Sequence, residues 1–190
     1  MSTAGFGTGR SSVFWGEAAP SEHIAHFCES EEVFLKTLTT FVGEGLNAGE
    51  GTIVIATPAH RQALNEQLTK AGIGVPCAIR ENRFISIDVD SALQRFMVNA
   101  WPDDQRFADM LEGLIHRASA HQRRVRAFGE MVALLWGRGQ SGATVRLEYL
   151  WNQFCRSYSF PLLCSYPRTG LTRDPADSLA EICAAHSRIL

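Results

Sequence analysis

Thr52-Ile-Val-Ile-Ala56 is a short apolar run with no polar alternation along it. A strand with one wet face alternates apolar and polar residues, so a continuous run demands cover on both faces, as in a parallel sheet. That requirement constrains the whole chain. Segments of similar length recur at His23–Cys28, Phe84–Asp88, Val125–Phe128 and Phe160–Tyr166, and helical stripes lie between them. Leu35, Leu38, Val42 and Leu46 recur at helical spacing, widened by Phe34 and Phe41 and closed by Gly49 and Gly51. Pro58 opens a second helix through Leu64, Leu68 and Ala71, ended by Gly72. Leu93, Phe96, Met97 and Ala100 predict a third, stopped at Pro102. Phe107, Met110, Leu111, Leu114 and Ala118 extend the pattern to about His121. Leu147, Leu150, Trp151, Phe154 and Tyr158 mark another helix. Asp174-Pro175 starts the last, with Leu179, Ile182, Cys183 and His186 on one face. Strands alternating with helices predict an α/β three-layer sandwich around a mostly parallel sheet.

Length and composition narrow the function classes. The 190 residues fit one such domain, and an apolar fraction of 45% with 11 Phe supports a substantial core. Residues 1–20, rich in Gly, Ser and Ala, read as a flexible leader, and 21–190 as the folded domain. Eighteen basic and 20 acidic side chains nearly cancel, so no global field draws the chain to nucleic acid or an anionic membrane. No run is long enough to cross a bilayer and no apolar signal core stands near Met1, so a cytoplasmic location is expected. Cys28, Cys77, Cys155, Cys164 and Cys183 are odd in number and widely spread, which suits reduced thiols. None forms a C-x-x-C pair, so no metal ligands and no cofactor are expected.

The stretch Arg126-Ala-Phe-Gly-Glu-Met-Val-Ala-Leu-Leu-Trp136 carries the sharpest chemical signal. It places Glu130 where a strand ends and a helix begins, and ligands of open α/β sheets bind beside the carboxyl ends of strands. The competing reading has Glu130 capping the helix that follows. A nucleotide hydrolase would carry a Gly-rich, Lys-bearing loop after its first strand, whereas Glu29, Glu31 and Glu32 stand there. The fragment Gly5-Phe-Gly-Thr-Gly9-Arg-Ser lacks a preceding strand, and Arg10 stands in place of the required Lys.

Other constellations are weaker. On the first strand, alternation puts His26 and Cys28 on one face and His23 on the other, which is awkward for a three-ligand metal site. Glu148 and Asn152 are i, i+4 neighbours that either face a pocket or form a solvated pair. Trp136 and Trp151 either line an apolar pocket or pack in the core. Arg117, Arg123, Arg124 and Arg126, with His116 and His121, lie near a helix end, where cations complement the dipole. No aromatic residues interleave them for base stacking, so nucleic acid is not an expected partner. There is no Gly-x-Ser-x-Gly elbow, and nothing local assembles a nucleophile, so no enzyme activity is expected.

Taken in order, several segments resemble the MEDS domain, a sensory domain of methanogens and methylotrophs. They are His23 through Phe27 with its acidic turn, Phe41-Val-Gly-Glu-Gly-Leu-Asn-Ala-Gly-Glu50 and Val54-Ile-Ala-Thr-Pro-Ala-His-Arg61. Arg126 to Met131 with Trp136, Leu147 to Asn152, Leu163 to Tyr166 and Ile182 to His186 complete the set. The resemblance implies a RecA/KaiC-like fold without a phosphate loop. It also implies a regulatory role, since such domains accompany histidine kinases, response regulators or DNA-binding segments and are thought to sense small molecules. Cys28 departs from the pattern, standing where an aromatic residue is usual.

The expectation is therefore a non-catalytic cytoplasmic sensory module. It would bind an unknown small molecule, or a partner such as a histidine kinase or another signalling protein that supplies the output, with no membrane contact. His23, Glu31, Arg126, Glu130, Glu148 and Asn152 are the expected polar lining of a pocket at the carboxyl ends of the strands. Two rivals remain open. The RecA-like order suggests a nucleotide binder with an altered phosphate site. The apolar C-terminal helix suggests a homo-oligomer, and self-association alone would make the chain a structural module.

Overall fold

In the computed structural model, residues 19–168 and 176–190 are described; the Gly5–Gly9 fragment, Asp174-Pro175 and most of the expected leader lie outside them. The elements run β1 (His23–Cys28), α1 (Glu31–Asn47), β2 (Gly51–Ala56), α2 (Pro58–Lys70), α3 (Val75–Arg80), β3 (Phe84–Asp88) and α4 (Val89–Phe96). They continue with β4 (Met97–Val98), β5 (Trp101–Pro102), α5 (Asp104–Ala118), β6 (Val125–Gly129), α6 (Met131–Gly137), α7 (Ser141–Tyr158), β7 (Leu162–Pro167), α8 (Ala176–Ala185) and β8 (Arg188–Ile189). Among the described residues, six strands form one sheet in the order β3-β2-β6-β7-β1-β8, and every pairing in it is parallel. The three-layer α/β sandwich is the architecture that the apolar strands require.

Alternation along the strands sorts their side chains into two cores. Ile24, Val54, Phe84, Phe128 and Leu163 face the layer of α1, α2 and α3, meeting Leu38, Phe41, Leu64, Leu68 and Ala78. Ile53, Ile55, Ile85, Ala127, Leu162 and Tyr166 face the larger layer of α4 to α8, meeting Phe96, Phe107, Leu111, Leu147, Trp151 and Ile182. Trp136 and Trp151 pack in this second core. Each fully buried large aliphatic or aromatic residue contributes about 1.5–3 kcal/mol of transfer free energy.

Helix starts follow local chemistry. The side chains of Ser30, Thr57, Asp88 and Asp103 each accept a backbone N–H from three residues ahead, capping α1, α2, α4 and α5. Gly49 and Gly72, just past the ends of α1 and α2, have φ of +76° and +78°, where a side chain would be strained.

Four local features differ from the sequence expectation. The stripe through Met97 and Ala100 is not helical: α4 ends at Phe96, and an antiparallel β4–β5 hairpin follows, turned by Asn99 and Ala100 at φ of 50° and 61°. Helix α5 stops at Ala118, and a separate 3₁₀ turn spans Ala120–Gln122. The helix α3 and the edge strand β8 carry no periodic signal of their own because each is too short to show one.

Candidate functional site

Strand β6 delivers Glu130 to the carboxyl edge of the sheet, as its sequence position suggested. It stands at the N-cap position of α6, but its side chain makes no cap hydrogen bond there. Its carboxylate instead crosses to the start of α2, where Oε2 accepts the Thr57 N–H at 2.8 Å and Oε1 lies 2.8 Å from His60 Nδ1. The Glu130 backbone N–H is held by Ile55 O at 2.9 Å, so strand pairing fixes the residue before its side chain is placed.

Beside this pair lies a cavity of about 440 Å³, spanning the ends of β1, β6 and β7 and the first turns of α1 and α2. Glu29, Ser30, Glu31, His60, Glu130 and Ser165 give it polar walls, and Cys28, Phe34, Ala133, Leu134 and Pro167 its apolar ones. The His60 imidazole tilts against the Phe34 ring at 4.5 Å between centroids. Hydrogen bonding to Glu130 holds the His60 pKa above its ordinary value, against the opposing effect of burial, and the charges of Glu130 and Glu31 add to it. Burial pushes the Cys28 thiol up, with hydrogen bonds opposing and the Glu130 charge adding.

The acidic turn sets the charge of this cavity's rim. In a phosphate-binding α/β protein, the free N–H groups and positive dipole of the first helix meet the anion. Here Ser30 already caps α1, and Glu31 and Glu32 occupy its first turn. That helix end is compensated from within its own chain.

The structure divides the six expected lining residues. Glu31 and Glu130 line the cavity together. Arg126 is a buried strut elsewhere: Nε meets Glu50 Oε2 at 2.5 Å, one terminal N–H donates to Phe41 O at 2.8 Å, and the guanidinium lies over the Phe41 ring. Elsewhere in the basic cluster, Arg117 bonds Asn82 and Arg123 bonds the carbonyls of Ala120 and Glu81. Glu148 is fully buried rather than part of a solvated pair, and Asn152, one turn along α7, is half-buried and lines neither this cavity nor the cluster described next.

His23 and Glu148 meet each other in the interior, under α7 and the end of α8. His23 Nε2 stands 3.1 Å from Glu148 Oε2, and His186 Nε2 3.5 Å from Glu148 Oε1. Cys164 Sγ lies 3.5 Å from His23 Nε2 and 3.8 Å from Glu148 Oε2, and Tyr166 donates its hydroxyl to Glu148 Oε1. Burial pushes the Glu148 carboxyl up, but His186, His23 and Tyr166 outweigh it and leave the pKa lowered. Burial, reinforced by the Glu148 charge, raises Cys164 and Tyr166 well above their ordinary values. Burial lowers His186, partly offset by Glu148. Sequence reading missed Cys164, Tyr166, His186 and His60 as members of these groups. The register His23↔Leu162 and Ala25↔Cys164 between β1 and β7 brings Cys164 beside His23, and no local pattern encodes it.

Parallel α/β architecture thus places a polar cavity at the carboxyl edge of the sheet, where ligands of such folds bind. The chain belongs to the MEDS family, described as the MEthanogen/methylotroph, DcmR Sensory domain, whose family model matches residues 22–187. No curated protein matches the chain. Among the described residues, no helix is long and apolar enough to cross a membrane.

Proposed function

We propose that this protein is a non-catalytic sensory module that takes a small molecule into the cavity between Glu29, Glu31, His60 and Glu130. The observation that supports this reading best is the Glu130 carboxylate, pinned by Thr57 and His60 on one wall of a partly apolar cavity. A carboxylate held this way is preorganised to receive a ligand donor without reorganising. Three carboxylates around the cavity favour a neutral hydrogen-bond donor or a cation over any phosphate, so a nucleotide is disfavoured on charge alone. Phe34, Ala133 and Leu134 suit a compact apolar portion of the same ligand. The signal would pass to a separate cytoplasmic protein of the histidine-kinase or regulator type, with self-association of the domain as one route.

Native mass spectrometry of the purified chain, before and after denaturation, tests this reading. A small molecule released on denaturation, absent from Glu130→Gln while that variant stays folded, is the expected result. Tight ATP or ADP binding with magnesium overturns it in favour of a nucleotide protein. A ligand retained unchanged by Glu130→Gln overturns the assignment of this cavity.

A further inference from the structure

We propose that His23, His186, Glu148 and Cys164 form a closed four-ligand site for one divalent transition-metal ion of the zinc class. The site is separate from the edge cavity and stands without the ligand reading above.

The hydrogen bonds of the two imidazoles carry the argument. His23 Nδ1 lies 3.1 Å from Ala185 O, and His186 Nδ1 lies 2.7 Å from Ile182 O. A carbonyl oxygen only accepts, so each Nδ1 bears a proton and each ring turns its Nε2 inward, where it can offer a lone pair to a metal ion. Both lone pairs converge on the Glu148 carboxylate, beside the Cys164 sulfur. Lone pairs facing a buried carboxylate repel it unless a proton or a metal cation stands between them. One proton on His23 would satisfy a single edge of the group and leave His186 Nε2, which is buried and has no hydrogen-bond partner, aimed into it.

The spacing agrees. Zinc-class ions sit about 2.0–2.3 Å from N, O and S donors, which places tetrahedral donors about 3.3–3.8 Å apart. One donor atom from each residue lies within 4.8 Å of the others; His23 Nε2, Glu148 Oε2 and Cys164 Sγ stand 3.1, 3.5 and 3.8 Å apart, and His186 Nε2 is 3.5 Å from the second carboxylate oxygen, Oε1. The outer shell is also present: backbone carbonyls orient both rings, and the Tyr166 hydroxyl orients the carboxylate. The donor set of two imidazoles, a thiolate and a carboxylate suits zinc better than magnesium or calcium.

Charge balances on binding. The ion coordinates the Glu148 carboxylate and the Cys164 thiolate, and the thiol proton leaves to solvent. A dication with two anionic ligands then makes a neutral buried group. Protein atoms fill all four positions, which is the pattern of a structural site rather than a catalytic one. The ion would fasten β1, α7 and β7 to the segment after α8, where Ser187 N also bonds His23 O at 2.8 Å.

The test uses the untagged full chain, stripped with a chelator and titrated with Co²⁺. One ion per chain is expected, with tetrahedral d–d absorption and a thiolate-to-cobalt charge-transfer band. Cys164→Ser should abolish the charge-transfer band, whereas Cys155→Ser should keep it. Tyr166→Phe should weaken binding about 10–100-fold as an outer-shell loss, and His186→Gln by more than that. Protease resistance of the C-terminal segment should fall when the ion is removed. A folded wild-type chain that takes up no Co²⁺ overturns the proposal. So does a charge-transfer band that survives Cys164→Ser; if Cys164→Ser fails to fold, unchanged Co²⁺ affinity in folded His186→Gln overturns it instead.

Discussion

Glu130 Oε1 lies 2.8 Å from His60 Nδ1, tying the end of β6 to the first turn of α2 across the edge of the sheet. The contact joins residues 70 positions apart and fixes one wall of the cavity.

Stability should depend on pH through this pair. Glu130 raises the folded-state pKa of His60 above 6.5, so protonated His60 stabilises the fold. That contribution is complete below the unfolded-state value and is lost as pH rises through the higher folded-state value. Its size is at most about 1 kcal/mol, because the pair is partly solvent-screened. Urea midpoints measured between about pH 5 and about pH 8 should show the decline, and His60→Gln should remove it. A wild-type profile that matches His60→Gln would deny the coupling.

Glu50 should matter far more than its place after a helix end suggests. It neutralises Arg126, which is only 3% exposed. Glu50→Ala leaves a buried guanidinium without its carboxylate and should cost about 3–5 kcal/mol. Glu31→Ala, at an exposed position, should change stability by no more than about 0.5 kcal/mol. Denaturant unfolding of both variants checks the contrast.

Two glycines should respond oppositely to alanine. A methyl at Gly51 would collide with the backbone carbonyl of Ala118, so Gly51→Ala should cost more than about 2 kcal/mol. A methyl at Gly113, inside α5, meets nothing within 4 Å, so Gly113→Ala should add about 0.5–1 kcal/mol. Melting temperatures shifted in opposite directions are the expected result.

Thiol labelling should rank the cysteines by burial. Cys77 is exposed and should alkylate first in the native protein. Burial pushes Cys155 up to about 11 and raises Cys28 and Cys164, so these three should label only on unfolding. Intact-mass analysis after brief iodoacetamide treatment counts the adducts, and native labelling of Cys155 ahead of Cys77 would contradict the packing.

Much of the architecture was legible because its causes are local. Apolar runs such as Thr52–Ala56, stripes such as Leu38 to Leu46, and caps such as Ser30 and Thr57 act within a few residues of themselves. Those causes determined the parallel α/β class, most strand positions and the acidic turn after β1. The β4–β5 hairpin escaped because Met97 and Ala100 continue a helical spacing that the backbone at Asn99 breaks. Only the tertiary structure decided which polar groups meet. Glu130 was visible as a carboxylate at a strand end, but its partners come from α2. Glu148 was expected to line the edge pocket with Asn152, whereas packing of α7 buries it against His23, Cys164 and His186. Those four side chains come from four separate segments. Their convergence depends on strand register and helix docking, which arise from long-range burial and leave no periodic trace in the sequence.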